Sequence, residues 1–293
     1  MKAGYIQFDV SHNKDENLKY IMQATRSFHG DLVVLPELCM CGYLFQDRDS
    51  LWAIAEEVPV GPSTQAMTKL SEECDCVIVF GLAEKEGDFV YNTAVVVGGG
   101  KYLGKYRKVH LSDLEKKLFE RGKSNAVVDT GKYKIGVQIC FDLWFPEISR
   151  EQIKQGAQIL CALANFGGET TGKIAQIRAI ENLTPLVLCN RVGIERLSEI
   201  DAYFLGKSQI LNKNGECVGL SEKDSEVAEV REIEVGTNHT NIICRDFDAE
   251  INIHPLYAAD ANMRVPQVQL TPIFLSKRIA AQKNTNGQRI SKD

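Results

Sequence analysis

The sequence predicts an α/β fold, because strand-like and helix-like stretches alternate through its second half. Apolar runs typical of buried strands are separated there by segments whose apolar residues recur at helical spacing. Glycine-containing turns in the first half and the stretches 207–219 and 226–234 predict hairpins, which add antiparallel pairing to the sheets. The 293 residues are 44% hydrophobic and 25% charged, as in an average globular chain, so they can bury a large core.

In the first half, each element is predicted from its local pattern. The helix at 14–28 follows "SHNKDE", which supplies capping and acidic first-turn residues. "DLVVLPE" has the short apolar run of a buried strand. The elements predicted for this half are a strand at 2–9, a helix at 14–28, a strand at 31–37, a helix at 61–75, three strands within 76–108 and a charged helical segment near 112–120.

In the second half, strands and helices alternate. Strands are predicted at 132–140, 157–164 and 185–193, and they are separated by helices at 145–157 and 172–183. Pro146 suits the first turn of its helix, where the missing N–H has no intrahelical partner to lose. No linker, repeat or charge block divides the chain, so we predict one domain at 1–272 and a C-terminal tail at 273–293.

Charge and the N-terminal residues narrow the classes of partner. Lysine plus arginine is 34 against 39 aspartate plus glutamate, a net charge of -5, and no basic stripe with interleaved aromatic residues occurs, so nucleic acid is not expected as a partner. The start, "MKAGYIQFDV", alternates like a strand and lacks the apolar run of a signal peptide or membrane helix. We therefore expect a cytoplasmic protein without membrane attachment.

The cysteines favour reduced thiols. There are nine, an odd number, and they are spread along the chain instead of forming a compact disulfide framework. The pairs Cys39/Cys41 and Cys74/Cys76 lack the two-residue gap of common zinc sites, and no histidine pair lies near either at ligand spacing. We expect small buried hydrophobic side chains at these positions and no metal.

Three polar residues follow predicted strands, and together they suggest chemistry. Cys140 in "GVQICFDLWFPE" comes where a strand ends and a helix follows, so its thiol is expected to have a depressed pKa. Glu37 follows the strand in "DLVVLPE", and Lys108 ends another in "GKYRKVHL". A neutral thiol needs a base, and an ammonium group can stabilise an oxyanion. Taken singly, each has an ordinary explanation: a core thiol, a cap and a surface lysine.

The three segments "LPELCMCGY", "YRKVHL" and "GVQICFDLWFPE" resemble, in order, the signature segments of the carbon-nitrogen hydrolases of the nitrilase superfamily. The resemblance runs from about residue 3 to about residue 232. It implies that Glu37 is the general base, Lys108 the oxyanion-stabilising lysine and Cys140 the nucleophile. It also implies a four-layer α-β-β-α sandwich, a homodimer or higher homo-oligomer, and no metal or organic cofactor.

Further site residues follow from the same resemblance. "EKKLFERG" is similar to the segment that carries a second glutamate, which makes Glu115 the candidate and Glu120 its competitor, because the stretch after Lys108 is shorter than in many relatives. The backbone N–H of Phe141 would be a second oxyanion donor, unless that residue only packs. Asn165 and Phe166, in "ANFGGETT", would line the pocket.

Arg191, in "CNRVG", has two interpretations of equal weight. It would either meet an anionic group of the substrate or anchor a loop.

The reaction implied is hydrolysis of a non-peptide carbon-nitrogen bond in a small amide, through a cysteine thioester that releases ammonia or an amine. A nitrile or an N-carbamoyl compound would suit the same three residues, and an inactive relative acting as a binding scaffold is the alternative from another class. Residues 237–272 do not resemble the family's usual ending, so an unusual partner contact there is part of that alternative.

Two other motifs are weaker. "GGKYLGK" approaches a phosphate-binding loop, but it precedes a strand-like segment, so a hairpin turn is the better interpretation. A Cys-His hydrolase would use His110 or His254 as base, yet Cys140 lacks the flanking glycines of a nucleophile elbow. His110 is instead expected to orient the loop that carries Lys108.

Overall fold

A computed structural model describes residues 1–124, 126–236, 244 and 247–251. The domain boundary predicted at residue 272, the tail at 273–293 and most of 237–272 lie outside these residues. The helices are α1 (Lys14–Arg26), α2 (Arg48–Ile54), α3 (Pro62–Glu73), α4 (Pro146–Lys154), α5 (Thr170–Asn182) and α6 (Phe247–Glu250). The strands are β1 (Lys2–Gln7), β2 (Leu32–Val34), β3 (Val77–Glu86), β4 (Phe89–Gly98), β5 (Lys101–Arg107), β6 (Val127–Asp129), β7 (Lys134–Ile139), β8 (Ile159–Ala164), β9 (Leu186–Asn190), β10 (Val192–Leu197), β11 (Ile200–Leu205), β12 (Gln209–Leu211), β13 (Cys217–Leu220) and β14 (Val227–Glu232).

The strands form two six-stranded sheets. The first has the order β14-β1-β2-β3-β4-β5 and the second β13-β12-β9-β8-β7-β6, while β10 and β11 form a separate hairpin. In each sheet a parallel centre, β1-β2-β3 or β7-β8-β9, is flanked by antiparallel strands. The expected mixture of parallel α/β units and antiparallel pairs is confirmed.

Alternating side chains of the central strands fill two different cores. In β8, Ile159, Cys161 and Leu163 pack between the sheets, whereas Leu160 and Ala162 face helices α4 and α5. Both faces are buried, which explains the unbroken apolar run "ILCALA". Helices α1 and α3 cover the outer face of the first sheet in the same way. The layer order is therefore α-β-β-α, which confirms the predicted four-layer sandwich.

The motif "GGKYLGK" is a hairpin turn, as predicted. Gly99 and Gly100 connect β4 to β5 with φ values of 55° and 70°. Both torsions lie in the left-handed region that glycine adopts without strain, and two such residues match the twist of a tight hairpin. The phosphate-loop interpretation is therefore excluded.

Several elements differ from the prediction. The charged segment near 112–120 contains only a short 3-10 turn, Glu115–Lys117, because the Glu115 side chain turns inward and bonds to Lys108 and Asn92. Tertiary contacts outweigh local helix propensity there. Helix α2 and the β10-β11 hairpin were not predicted, and the stretch 226–234 pairs with β1 instead of forming a hairpin with its neighbour.

Among the residues that the structure describes, no helix has the length and apolar character needed to span a membrane.

Candidate active site

Cys140 lies where β7 ends and opens a short 3-10 turn, Cys140–Trp144. Its φ is +47°, a left-handed backbone conformation that is uncommon for a residue with a side chain. Asp142, buried in the same turn, accepts a hydrogen bond from the Ile139 N–H at 3.2 Å and another from the Tyr106 hydroxyl at 2.9 Å. These bonds hold the strained turn in place, which is typical of functional sites.

Glu37 lies three residues beyond β2 and is fully buried. One carboxylate oxygen, Oε1, accepts hydrogen bonds from Lys108 Nζ at 2.6 Å and from Asn92 Nδ2 at 2.7 Å. The other oxygen, Oε2, is buried and accepts no hydrogen bond from the part of the chain that the structure describes. A buried carboxylate oxygen without a donor is suited to take up a proton.

Lys108 follows β5 and is 1% exposed. Its Nζ also lies 2.6 Å from Oε1 of Glu115, so one ammonium group bridges two carboxylates. The second oxygen of Glu115 accepts the Ser112 N–H at 2.9 Å. Glu120 is exposed. Of the two competing glutamates, Glu115 is therefore the one beside Lys108.

The three predicted residues meet at one end of the sandwich. Glu37 and Lys108 follow strands of the first sheet, Cys140 follows a strand of the second, and the charges of Glu37 and Lys108 act on the Cys140 thiol. Asn92 of β4 donates to Oε1 of Glu37 and, at 3.0 Å, to Oε1 of Glu115. The acid, the amine and the thiol converge as the sequence suggested.

Burial and the bridging ammonium set the protonation states of the two acids. Burial raises the pKa of Glu37 to about 7, although Lys108 opposes the rise. Burial also favours the neutral form of Glu115, but Lys108 and the Ser112 N–H outweigh it and lower the pKa of that carboxyl group. For Lys108, burial would lower the pKa, and the two carboxylates instead raise it well above its usual value. Lys108 and Glu115 are therefore charged at neutral pH, and Glu37 is poised to gain or lose a proton.

The depressed pKa predicted for the Cys140 thiol is wrong. Burial raises this pKa and the Glu37 charge raises it further, while Lys108 and a backbone hydrogen bond from Asn165 lower it by less. The resting group is therefore a thiol, and it needs a neighbouring base before it can act as a nucleophile.

His110 lies beside the loop that carries Lys108 and helps to fix the conformation of that loop. Asp142 Oδ1 accepts a hydrogen bond from the His110 backbone N–H at 2.9 Å and lies 3.0 Å from ring atom Nδ1. The imidazole stacks on Phe145 with ring centroids 3.6 Å apart. This arrangement ties the lysine loop to the cysteine turn, as expected of His110. The alternative base, His254, lies outside the described residues.

Of the predicted substrate-binding residues Asn165, Phe166 and Phe141, only Asn165 forms a hydrogen bond with one of the three converging residues, Glu37. Asn165 Nδ2 donates to the Glu37 carbonyl oxygen at 3.0 Å, and its buried Oδ1 accepts no hydrogen bond from a described residue. The Phe166 N–H donates to Asn190 Oδ1 at 2.9 Å. Phe141 is half-buried, and its ring meets Phe145 edge-on at 5.2 Å. Asn165 is thus bonded directly to the segment that carries Glu37.

Of the two interpretations of Arg191, the structure favours the loop anchor over contact with an anionic group of the substrate. Its side chain is fully buried, and Nη1 donates to Glu195 Oε1 at 2.6 Å. Nη2 donates to the Val10 carbonyl oxygen at 2.6 Å and to Asp9 Oδ1 at 3.0 Å. The guanidinium donors are thus engaged by groups of the protein itself.

Sequence reasoning missed the partners that hold the site together. Asn92, Asp142 and Glu195 are buried polar residues in strands or turns, and Tyr43 interacts electrostatically with Glu115, Lys108, Glu37 and Cys140. "YNTAVVV" places Asn92 and Thr93, and "CFDLW" places Asp142, in otherwise apolar segments, which was the available signal. Within residues 1–124, 126–236, 244 and 247–251, no group of three metal-ligating side chains is found.

Fold and site together define a class of protein, a four-layer sandwich with a buried acid and amine beside a partly buried thiol at one end. The Carbon-nitrogen hydrolase family matches residues 3–235. The chain is 37% identical over 243 residues to a nitrilase of Pyrococcus abyssi, covering 80% of this chain and 90% of that protein. It is 32% identical over 247 residues to an N-carbamoylputrescine amidase of Oryza sativa, covering 76% and 82%.

Among solved structures, the fold matches a carbon-nitrogen hydrolase from Helicobacter pylori with a TM-score of 0.74, at 24% identity, over 86% of this chain and 92% of that one. The chain therefore belongs to the carbon-nitrogen hydrolase family of the nitrilase superfamily. It is a hydrolase of carbon-nitrogen bonds, as the three sequence segments indicated.

Proposed function

We propose that this protein hydrolyses the non-peptide carbon-nitrogen bond of a small amide through a thioester on Cys140. The observation that carries the proposal is the Lys108 ammonium group, held 2.6 Å from both Glu37 and Glu115 beside the thiol. This arrangement provides a base, a nucleophile and a fixed positive charge in one water-poor site.

In the first step, Oε2 of Glu37 accepts the thiol proton while Sγ of Cys140 attacks the carbonyl carbon. The carbonyl π electrons move to oxygen, and Lys108 with the Phe141 N–H stabilises the resulting oxyanion. When the carbon-nitrogen bond breaks, Glu37 returns its proton to the leaving nitrogen, so ammonia or an amine departs. The thiol need not ionise in advance, which agrees with its raised pKa.

In the second step, water replaces the departed amine. Glu37 takes a proton from the water, the hydroxyl oxygen attacks the thioester carbon, and the carbon-sulfur bond breaks. The proton returns to sulfur, which restores the thiol and releases the carboxylic acid. Glu115 remains ionised through both steps, because Lys108 lowers its pKa, and it keeps the lysine charged and oriented.

The choice of an amide over a nitrile rests on the pocket pair. Asn165 and Phe166 resemble the amidase-like pair of the family more than a nitrile-specific segment, and Asn165 is bonded to the Glu37 segment. Relatives named nitrilase and N-carbamoylputrescine amidase make nitriles and N-carbamoyl compounds the alternatives to test. Since Arg191 is engaged internally, it is not proposed as a partner for a carboxylate of the substrate.

The test is ammonia release from matched amides, nitriles and N-carbamoyl compounds, each with and without a terminal carboxylate. Cys140→Ala serves as the blank. We expect turnover of an amide, and the thioester should be trapped by hydroxylamine as the hydroxamate. Faster turnover of the nitrile in each pair would contradict the amide assignment.

The activity should depend on pH through one group. Glu37 must be ionised to accept the thiol proton, and its pKa is raised to about 7, so kcat/KM should fall as the pH drops through about 7. Glu115, with a lowered pKa, and Lys108, with a raised pKa, keep their charges on both sides of that value. A pH profile with its acid limb near pH 4 would show that another group is the base.

We also propose that the protein is a homodimer and that it is located in the cytoplasm. Trp144, Ile177 and Ile180 are about half exposed on or beside the outer helices of the second sheet, which supports a self-association surface. The cysteines from Cys39 to Cys217 are free thiols, which supports a reducing compartment. Light scattering coupled to size exclusion measures the oligomeric state.

A further inference from the structure

A buried ion pair, Arg191 with Glu195, joins three segments near the site. Arg191 is fully buried and Glu195 is 4% exposed, and the guanidinium also donates to Val10 after β1. The guanidinium carbon lies 4.3 Å from the centre of the Phe204 ring in β11. The pair has no chemical role in the proposed reaction.

Glu195 holds the loop that follows Glu37. Its two carboxylate oxygens accept the Tyr43 N–H at 2.9 Å, and Oε2 accepts the Leu44 N–H at 2.8 Å. Gly42 has φ +82°, and a Cβ atom built there would lie 2.5 Å from Glu195 Oε1. The backbone therefore approaches the carboxylate so closely that a side chain at position 42 would push them apart.

The side chain of Tyr43 extends from this clamped backbone toward the catalytic groups. The charges of Glu115, Lys108, Glu37 and Cys140 all act on its phenol. The hydroxyl lies 3.4 Å from Ser112 Oγ, and its ring meets Phe204 edge-on at 6.0 Å. Phe204 thus contacts both Tyr43 and the Arg191 guanidinium.

We propose that Arg191 and Glu195 are positioning residues, which fix Tyr43 as a wall of the substrate site and so control substrate binding and selectivity. This inference rests on the proposed function, and it assigns to the pair an effect on KM, separate from the chemical step. A buried ion pair is often no more stabilising than an apolar replacement, so a positioning role gives this one a physical purpose. Position 191 acts at the site through Glu195 and the clamped loop.

The experiment is a double-mutant cycle between Glu195→Gln and Tyr43→Ala, with the amide that the wild type hydrolyses. Each single variant should raise KM by about tenfold or more and change kcat by less than about threefold. Because both act on one wall, the double variant should be no worse than the poorer single variant. Arg196→Ala is the matched control, since Arg196 lies on the same hairpin in an exposed pair with Asp201 and should leave KM unchanged.

A second readout is independent of hydrolysis. The rates at which iodoacetamide and N-phenyl iodoacetamide alkylate Cys140 report access to the thiol, and their ratio should change severalfold in Glu195→Gln and in Tyr43→Ala. If the wild type hydrolyses no amide, the proposed function fails. The ratio of the two alkylation rates still shows whether Glu195 positions Tyr43. Gly42→Ala, which displaces the loop while keeping both charges, should show the same change if Glu195→Gln does not fold.

Two outcomes would overturn the inference. One is additive effects on KM together with an unchanged alkylation ratio. The other is a fall in kcat that follows the unfolded fraction measured by circular dichroism, while KM and the alkylation ratio of the folded fraction stay as in wild type, because that would make the pair purely structural.

Discussion

Replacement of Glu37 by glutamine is expected to lower kcat/KM by at least about a hundredfold. The amide has nearly the same shape, and its oxygen can still accept the hydrogen bonds that Asn92 and Lys108 give to Oε1. An amide cannot take the thiol proton, however, and the Cys140 thiol does not ionise readily by itself, because burial raises its pKa. The chemical step should therefore slow while the fold persists.

Steady-state kinetics above pH 8 measure this effect, since Glu37 of the wild type is then ionised. Glu120→Gln is the matched control, because Glu120 is exposed and lies apart from the Lys108 bridge. The variant should also lose the acid limb near pH 7 in whatever activity remains. Activity within a few-fold of wild type, with an unchanged circular dichroism spectrum, would reject Glu37 as the base.

The sequence was sufficient to predict the α/β class and to suggest that the three polar groups converge. Unbroken apolar runs such as "ILCALA" require burial on both faces, whereas the four-layer order was implied by the resemblance of the three segments to the family. Polar residues directly after these strands, Glu37 and Cys140 among them, then lie at a common end. This part of the prediction depends on local patterns and on their order along the chain.

The partners of those groups could not be predicted from local patterns. Asn92 is 55 positions from Glu37, and Arg191 is 182 positions from Asp9, so nothing in either neighbourhood specifies the contact. Arg191 was equally consistent with a substrate contact because its type and position do not reveal burial. Only its full enclosure and its bond to Glu195 identify it as an anchor.

The thiol pKa shows why electrostatics needs the folded structure. A helix terminus and a lysine, both visible in the sequence, lower the pKa of a nearby thiol. Desolvation by the surrounding side chains raises it, and that effect is larger for Cys140. Its size depends on how completely the two sheets enclose the turn, which no short motif encodes.

Replacement of Lys108 by alanine is expected to lower kcat/KM by at least about a hundredfold, since the oxyanion loses a charged donor. A second effect, on the pKa of Glu37, distinguishes an electrostatic role of Lys108 from a role in packing alone. Lys108 is the cation that lowers the pKa of Glu37 and of Glu115, and without it two buried carboxylates face each other. The pKa of Glu37 should therefore rise, and the acid limb of the remaining activity should move above pH 7.

The double variant Lys108→Ala/Glu115→Gln tests the cause of that movement. Removing the second carboxylate takes away the repulsion, so the acid limb should return toward lower pH while the rate stays low, because the oxyanion donor is still missing. Lys116 is an exposed lysine in the 3-10 turn that carries Glu115, and Lys116→Ala should change neither the rate nor the acid limb of the pH profile. An acid limb that stays at about pH 7 in Lys108→Ala would show that the ammonium group does not control the ionisation of Glu37, and its role as the shared counter-ion would have to be abandoned.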